Sequence, residues 1–449
     1  MKLRILLFFI AFTTYCNAQC WQLAAPGYTY SAGIKTNGTL WTWGDNDNGE
    51  LGDGTTNDTN IPVQRGTDTN WMSVATGLNY TIALKTDKTL WAWGYNYNGQ
   101  LGNGTDVYIG FPSQIGSDSN WQTIAAGYNN SIALKTDNTL WTWGWNFYGQ
   151  VGDGTTVNKS VPTQIGTSTW KAIGIGHHHT LAIRADGTLW AWGGNEYGQL
   201  GNGTTTDSHI PIQIGTDTTW KTIVGGYAHS MAIKNNGTLW AWGWNEYGQL
   251  GDGTTIDRYV PTQIGTGTNW KTVGAGGSYT IATKTTGTLW AWGYNYQGQL
   301  GDGTLLNKII PVQIGTATNW ASTVDINNIS TALKTDGSLY AWGINLDGEL
   351  GVGSTVNMNV PTEIICTPLG VDEVLNTHLS IYPNPVKDIL NFDTNENIFK
   401  IAIYDMTGRI VNFMPVTNNS LNLSALKTGS YILSFFTEGG RRNITIVKE

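Results

Sequence analysis

The segment GTLWAWGWNEYGQLG, residues 237–251, decides the fold of this chain. A short apolar run is followed by Gly, Asn and Gln, which indicates a strand that leads into a tight loop. In the strand, Trp240 and Trp242 share one face, while Leu239 and Ala241 share the other. Because both faces are apolar, the strand must be covered on both sides.

The same segment occurs seven times along the chain. Its second Trp is Trp43, Trp93, Trp143, Trp192, Trp242, Trp292 and Trp342, at steps of 49 or 50 residues. Such a period indicates one supersecondary unit repeated in space, and radially packed sheets cover both faces of each strand. We therefore predict an all-β chain with a seven-bladed β-propeller over residues 19–366, followed by a small C-terminal β-sandwich.

The repeat resembles the regulator-of-chromosome-condensation repeat family, a seven-bladed propeller. The resemblance covers residues 21–365 and rests on motifs such as GYAHSMAIK (226–234) and WGWNEYGQLG (242–251). The seventh unit departs from the pattern, since Ile326 stands where Gly276 stands in unit six and Tyr340 replaces the first Trp. The family's best-known activity, guanine-nucleotide exchange, uses an inserted wedge, and the constant repeat length leaves no room for one. A secreted bacterial branch inhibits β-lactamases through an aromatic propeller face, which implies protein binding.

The two ends of the chain predict export. Lys2 and Arg4 precede an apolar stretch over residues 5–12, and Cys16-Asn-Ala18 forms a small-residue cleavage site. Residues 1–18 are therefore predicted to be a signal peptide that is removed, and no other segment is apolar enough to span a membrane. Residues 367–378 are predicted to be a linker.

Residues 379–449 contain no Trp, and their predicted strands are longer alternating segments than those of the repeats. The segments IYPNPVKDILN (381–391), IYDMTGR (403–409) and LSALKTGSY (423–431) resemble the type A C-terminal sorting domain of type IX secretion. This resemblance implies a small β-sandwich that the secretion machinery recognises, and a protein that is secreted or attached to the outer-membrane surface. A generic carbohydrate-binding or adhesive sandwich is the alternative.

Charge narrows the choice of partners. The formal net charge is −8, and only 12% of residues are charged. An acidic surface repels phosphate groups, so nucleic acid and anionic membranes are excluded as expected partners.

Two cysteines, Cys20 and Cys366, bracket the repeats. In the alignment they fall where Asn319 and Thr316 stand in the link between units six and seven, so ring closure would bring them together. An exported protein meets oxidising conditions, and we expect a Cys20–Cys366 disulfide; two unpaired thiols are the alternative.

No arrangement of residues predicts catalysis, a metal site or a cofactor. The run GHHHT (176–180) suggests a metal site at first. However, His179 and His229 occupy a repeat position that is Tyr or Asn in other units, so a hydrogen bond at the blade corner is the preferred interpretation. Asp53 and its acidic equivalents could suggest calcium, but Asn103 and Val352 occupy the same position elsewhere.

Variable aromatic residues stand inside the repeated motif Trp-Gly-x-Asn-x-x-Gly-Gln. Because this motif runs from a strand into a loop, its variable positions should ring one end of the propeller, where recognition usually resides. Tyr and Trp are common anchors of protein contacts and can stack on sugars. The alternative is that these side chains only seal blade against blade. The predicted binding face consists of Tyr95, Tyr97, Trp145, Phe147, Tyr148, Tyr197, Trp244, Tyr247, Tyr294 and Tyr296.

The sequence thus predicts an exported binding or adhesion module for an extracellular protein or glycan, without enzymatic activity. One alternative is a polysaccharide-acting enzyme that uses carboxylates such as Asp45, Asp47, Glu196 and Glu246. The other is a regulator similar to a guanine-nucleotide exchange factor.

Overall fold

A computed structural model describes residues 20–366 and, in the C-terminal region, 379–394, 398–405, 410–414, 419–437 and 440–449. The chain divides into two compact units, residues 1–367 and 368–449. None of the described residues forms a helix. The predicted signal peptide (1–18) and linker (367–378) lie outside the described residues.

The first unit contains seven four-stranded antiparallel sheets, each formed by four consecutive strands. In chain order the strands are β1 Trp21–Pro26, β2 Tyr30–Lys35, β3 Leu40–Gly44, β4 Thr59–Gln64, β5 Trp71–Thr76, β6 Tyr80–Lys85, β7 Leu90–Gly94, β8 Ile109–Gln114, β9 Trp121–Ala126, β10 Asn130–Lys135, β11 Leu140–Gly144, β12 Lys159–Gln164, β13 Trp170–Ile175, β14 His179–Arg184, β15 Leu189–Gly193, β16 Ser208–Gln213, β17 Trp220–Gly225, β18 His229–Lys234, β19 Leu239–Gly243, β20 Arg258–Gln263, β21 Trp270–Ala275, β22 Tyr279–Lys284, β23 Leu289–Gly293, β24 Lys308–Ile314, β25 Trp320–Ile326, β26 Ile329–Lys334, β27 Leu339–Gly343 and β28 Met358–Ile364.

These sheets are the blades of the predicted propeller, numbered 1 to 7 along the chain. The first strands of all blades line a central apolar channel. The turn between the first and second strands (the inner turn) and the loop between the third and fourth strands (the outer loop) lie at the same end of each blade. In blade 1, for example, the Asp45 N–H donates to the Thr29 carbonyl at 3.0 Å. We call this end of the propeller the loop face.

The repeated Trp residues join each blade to the preceding one. The Trp242 side chain is fully buried, and its Nε1 donates to the Gln199 carbonyl of blade 4 at 2.8 Å. It packs on Gly201, where an added Cβ would come within 2.8 Å of the indole nitrogen. The motif therefore pairs Trp with Gly because only Gly leaves room for the ring.

A basic side chain lies over the first aromatic ring of each motif, which is Trp in six blades and Tyr340 in blade 7, at the end opposite the loop face. Lys35 Nζ is 3.5 Å from the Trp41 ring centroid, and Arg184 and Lys234 lie equally close to Trp190 and Trp240. Such cation–π contacts explain why the second strand of each blade ends in Lys or Arg.

The Asn and Gln of the motif hold the outer loop in place. Asn245 Oδ1 accepts from the Leu250 N–H at 3.0 Å, and its Nδ2 donates to the Thr254 carbonyl at 3.1 Å. Gln249 Oε1 accepts from the Tyr247 N–H at 2.9 Å. Because these bonds satisfy the backbone of a tight buried loop, the two residue types repeat from blade to blade.

Ring closure uses ordinary blade packing and a disulfide. No blade borrows a strand from the other end of the chain, since every sheet is contiguous in sequence. Trp43 Nε1 donates to the Glu349 carbonyl of blade 7 at 2.9 Å, as five of its six equivalents do to the preceding blade. Cys20 and Cys366 form a disulfide across this junction, with their Cα atoms 6.2 Å apart.

The second unit contains two antiparallel sheets. Their strands are β29 Leu379–Tyr382, β30 Ile389–Thr394, β31 Ile398–Asp405, β32 Ile410–Met414, β33 Ser420–Asn422, β34 Gly429–Thr437 and β35 Gly440–Lys448. One sheet has the order β29-β30-β33 and the other β32-β31-β34-β35. Both contribute to a single apolar core, in which the Phe392 and Phe435 rings meet at 5.4 Å.

Candidate binding face

All ten residues of the predicted binding face lie in outer loops and therefore on the loop face. Three of them project into solvent: Tyr97 is 76% exposed, Phe147 64% and Tyr296 60%. They occupy the same position of the motif, which is also exposed in the other four blades as Asp47, Glu196, Glu246 and Leu346. The fold therefore imposes no residue type at this position.

The other seven aromatic residues are half-buried. Some of them bridge neighbouring blades: Tyr197 contacts Trp244 with ring centroids 5.5 Å apart, and Tyr247 contacts Tyr294 at 4.9 Å. Others support an exposed ring within one blade, as Trp145 supports Phe147 at 6.3 Å. These rings seal blade junctions and also extend the aromatic surface.

The inner turns add aromatic residues that the sequence interpretation left out. The Tyr28 and Tyr128 rings meet at 6.3 Å although they belong to blades 1 and 3. His177 lies 4.1 Å from Tyr128 and 4.6 Å from Tyr227. These side chains surround the end of the central channel. The sequence signal for them was the same as in the outer loops, a variable residue inside a repeated corner.

Contacts between inner turns and outer loops make the aromatic surface continuous from blade 3 to blade 6. His178 stacks on Tyr148 at 4.6 Å and contacts Trp145 at 5.3 Å. Tyr227 reaches Trp244 at 6.0 Å. Burial lowers the pKa of His177 to about 3, with smaller contributions from the neighbouring histidines, so this ring is neutral at physiological pH.

The preferred interpretation of His179 and His229 agrees with the structure. Both are fully buried, and His179 Nε2 shares a hydrogen bond of 2.9 Å with Ser230 Oγ of the next blade. Tyr80, at the same repeat position, donates from its hydroxyl to the Asn130 carbonyl at 2.7 Å. This position therefore joins blade corners.

The acidic residues that suggested calcium have structural partners. Asp53 pairs with Arg65 at 2.8 Å, and Asp153, Asp252 and Asp302 pair with basic residues of their own blades. Each also accepts a hydrogen bond from the Thr two residues later, as Asp53 does from Thr55 at 2.7 Å.

Carboxylates collect on the loop face at blades 7 and 1. The carboxylates of Asp45, Asp47 and Asp58 lie within 4.8 Å of one another. Burial raises the pKa of Asp58. The charges of Asp45 and Asp47 also raise it, whereas the hydrogen bond from the Asn46 N–H lowers it by less than the total increase. Burial and these three carboxylates raise the pKa of Asp347.

The loops of the loop face lack basic residues, although Lys159, Arg258 and Lys308, the first residues of their fourth strands, pair with loop aspartates. Within residues 20–366, the inner turns and outer loops contain acidic residues but no Lys or Arg. The basic residues stacked on Trp rings lie at the opposite end. The loop face is therefore aromatic and acidic.

The central channel encloses about 380 Å³ and is lined mainly by Ala, Val, Ile and Gly of the first strands. Among the lining side chains that the structure describes, none is titratable.

Residues 11–326 match the model of the RCC1-like domain, which covers more than half of the chain. The chain belongs to the RCC1-like domain family. Residues 336–374 match a single regulator of chromosome condensation (RCC1) repeat. The family and the all-β propeller predicted from the sequence are thereby confirmed.

Solved structures of RCC1-like propellers resemble this one in fold. Human WBSCR16 is 22% identical, with a TM-score of 0.65 over 73% of this chain and 94% of that protein. Prp20p from Saccharomyces cerevisiae is 20% identical, with a TM-score of 0.66 over 78% and 90% of the two chains. No curated protein sequence matches the chain.

Residues 380–449 match the secretion system C-terminal sorting domain. This match confirms the sorting-domain prediction and indicates a protein that is secreted or attached to the outer-membrane surface. Among the described residues, no helix has the length and apolar character needed to cross a bilayer.

Proposed function

We propose that this protein is an exported binding module that captures an extracellular partner through its loop face, without enzymatic activity. The observation that carries the proposal is the exposure of Tyr97, Phe147 and Tyr296 at a position where the fold imposes no residue type. Each of the three rings adjoins a second aromatic ring of its loop, and contiguous exposed apolar surface marks recognition sites.

The rigidity of the loops supports this role. Each outer loop is fixed by the buried Asn of the motif and by a buried Gln, or by Glu in blades 1 and 7, so its exposed side chains extend from an ordered backbone. Binding to a preorganised surface loses less conformational entropy than binding to a mobile loop. Seven such loops around one ring offer a broad surface with variable chemistry.

A protein is the favoured class of partner, and a glycan is the second. The family provides a precedent for protein binding, since yeast RCC1 (Prp20) has been solved with Kap60 bound. The extended aromatic surface from blade 3 to blade 6 suits a protein contact. Stacking of sugar rings on exposed Tyr and Phe would serve a glycan.

The arrangement of the carboxylates supports a non-enzymatic role. Asp45 Oδ2 accepts from the Thr29 hydroxyl at 2.8 Å and its Oδ1 accepts from the Asp47 N–H at 3.0 Å, so this carboxylate has structural partners. Glu196 and Glu246 lie at equivalent exposed positions of different blades. None of these residues forms a hydrogen-bonded acid–base pair within residues 20–366.

The test is capture of extracellular material by the immobilised full chain, using a glycan array and purified outer-surface proteins of the source bacterium. We expect the variant Tyr97→Ser/Phe147→Ser/Tyr296→Ser to lose most of the capture. The matched control is Ile61→Ser/Val161→Ser/Val260→Ser, which removes apolar side chains that are about half exposed on the outermost strands. Equal capture by the wild type and the loop-face variant would contradict the proposal, and turnover of a polysaccharide would contradict its non-enzymatic part.

A further inference from the structure

The junction between blades 1 and 2 differs from the other junctions in one side chain. In blades 3 to 7 and in blade 1, the second residue of the fourth strand covers a Gly of the preceding blade, as Ile309 covers Gly248 and Tyr259 covers Gly198. At the corresponding place in blade 2, Gly49 meets Gly110, which has no side chain. A depression of about 570 Å³ opens there, bordered by Thr55, Thr56, Tyr108 and Phe111.

Blade 2 departs from the repeat at a second place. In the other six blades the last residue of the outer loop is Asp or Asn, and its side chain accepts a hydrogen bond from the motif Asn, as Asp257 accepts from the Asn245 N–H at 2.8 Å. Blade 2 has Tyr108 at this position, and its side chain is 58% exposed. The fold loses a hydrogen bond and gains an exposed ring.

These two departures adjoin a cleft on the loop face. The cleft holds about 440 Å³ and is bordered by Asp47, Thr56, Tyr95, Tyr97, Asp106 and Tyr108. It shares Thr56 and Tyr108 with the depression over Gly110. The two cavities together suit an extended segment of chain rather than a compact small molecule.

The charges around the cleft indicate that a segment bound there would carry positive charge. Asp47 and Asp106 are exposed, and neither takes part in an ion pair within residues 20–366. Asp45 and Asp58 add negative charge beside Asp47. Tyr95 and Tyr97 lie nearly parallel, with centroids 6.4 Å apart, and aromatic faces attract cations.

We propose that this cleft receives a Lys or Arg side chain from a protein segment that continues over Gly110. The cation would lie between the carboxylates of Asp47 and Asp106 and against the tyrosine rings. The neighbouring part of the segment would pack on Phe111, which is 60% exposed. This inference rests on the proposed binding function and specifies the partner as a basic protein segment.

The test measures binding of a fluorescein-labelled peptide of four lysines to the full chain by anisotropy at low salt. Asp47→Asn/Asp106→Asn should weaken binding about fivefold or more, since it removes two exposed charge partners. Glu196→Gln/Glu246→Gln is the matched control, because it removes the same charge at the position equivalent to Asp47 in blades 4 and 5; it should change binding by less than about twofold.

A second variant tests the groove itself. Gly110→Ile introduces the side chain that blade 6 carries as Ile309, and a Cβ at residue 110 would meet only ordinary contacts at 3.6 Å or more. It should weaken binding of a longer basic peptide with an apolar residue after its lysines, and leave thermal stability unchanged.

Equal weakening by the two carboxylate pairs, or no binding of the lysine peptide, would overturn this inference. Binding of an uncharged oligosaccharide that is lost in Asp47→Asn/Asp106→Asn would also overturn it, in favour of a glycan. If the loop-face variant of the capture experiment still loses its partner in any of these cases, only the basic-segment inference fails. If that variant captures normally, the proposed function fails as well.

Discussion

Trp242 and Trp244 stand two residues apart in blade 5 and differ in nearly every physical respect. Trp242 is fully buried and hydrogen-bonded to the preceding blade, and every other repeat also has Trp at its position. Trp244 is half-buried, contacts other aromatic rings on the loop face, and is replaced by Gly194 in blade 4 and Ile344 in blade 7. The comparison teaches that positions in the propeller core repeat, whereas positions on the loop face vary.

Truncating the two Trp residues should give the largest difference. Trp242→Ala removes a ring from a closed core and leaves a cavity, so we expect a loss of about 3 to 5 kcal/mol in unfolding free energy. Trp244→Ala should lose much less, because Gly194 at the equivalent position shows that the loop folds without a side chain there. Guanidinium denaturation of both variants measures the difference. Equal losses in unfolding free energy would contradict the distinction between repeated core positions and variable loop-face positions.

The junction between blades 7 and 1 tests how far the repeated contacts alone hold two blades together, because no polypeptide link joins these two blades directly. Cys20→Ser/Cys366→Ser leaves the repeated contacts intact and removes only the covalent link. We expect a loss of about 2 to 4 kcal/mol, since the disulfide restricts the unfolded chain. Hydrogen exchange should increase first in blades 1 and 7. Unchanged stability and exchange would mean that packing alone closes the ring.

Two buried positions of the repeated motif carry a different residue in blades 1 and 7, and this difference should make the stability of the fold depend on pH. Glu50 and Glu349 occupy the place of the motif Gln. Burial raises the pKa of Glu50 to about 8, with a smaller contribution from the charge of Asp45. Burial likewise raises the pKa of Glu349 to about 7, with a smaller contribution from the charge of Asp347. A carboxyl whose pKa is higher in the folded chain favours folding below its unfolded pKa, and this contribution is lost as pH rises through the folded value. Stability should therefore fall between about pH 5 and pH 9.

Glu50→Gln/Glu349→Gln restores the residue that the other blades carry and should remove most of this pH dependence. Denaturation midpoints at pH 5 and pH 9 measure it. A wild type whose stability does not fall over this range, or a variant that behaves like the wild type, would contradict the burial of these two carboxyls in the folded chain.

Much of the fold could be predicted from the sequence because its determinants are local and repeated. The spacing of Trp242 and its equivalents gives the number of blades, and the Gly, Asn and Gln of the motif mark the outer loops. Aligning Cys20 and Cys366 with a complete link between repeats places both at the ring junction. These arguments need only the order of residues within one repeat.

Less of the candidate binding face could be predicted from the sequence, because its members meet only when the ring is formed. Tyr28 and Tyr128 are 100 residues apart and touch across the end of the channel. The depression beside the cleft at blades 1 and 2 depends on what Gly110 fails to cover in the preceding blade, which no alignment of single repeats reveals. Residue variability indicated one end of the propeller as the candidate face, and packing decides which residues form a surface there.

The most direct test of the account measures capture and unfolding on the same preparation of Tyr97→Ser/Phe147→Ser/Tyr296→Ser. Because these three rings are exposed, their removal should change the unfolding free energy by no more than about 0.5 kcal/mol per residue. Capture of the extracellular partner should fall at least about tenfold. Retained capture, or capture lost only together with a large loss of stability, would contradict the claim that the variable aromatic residues face a partner while the repeated ones build the propeller.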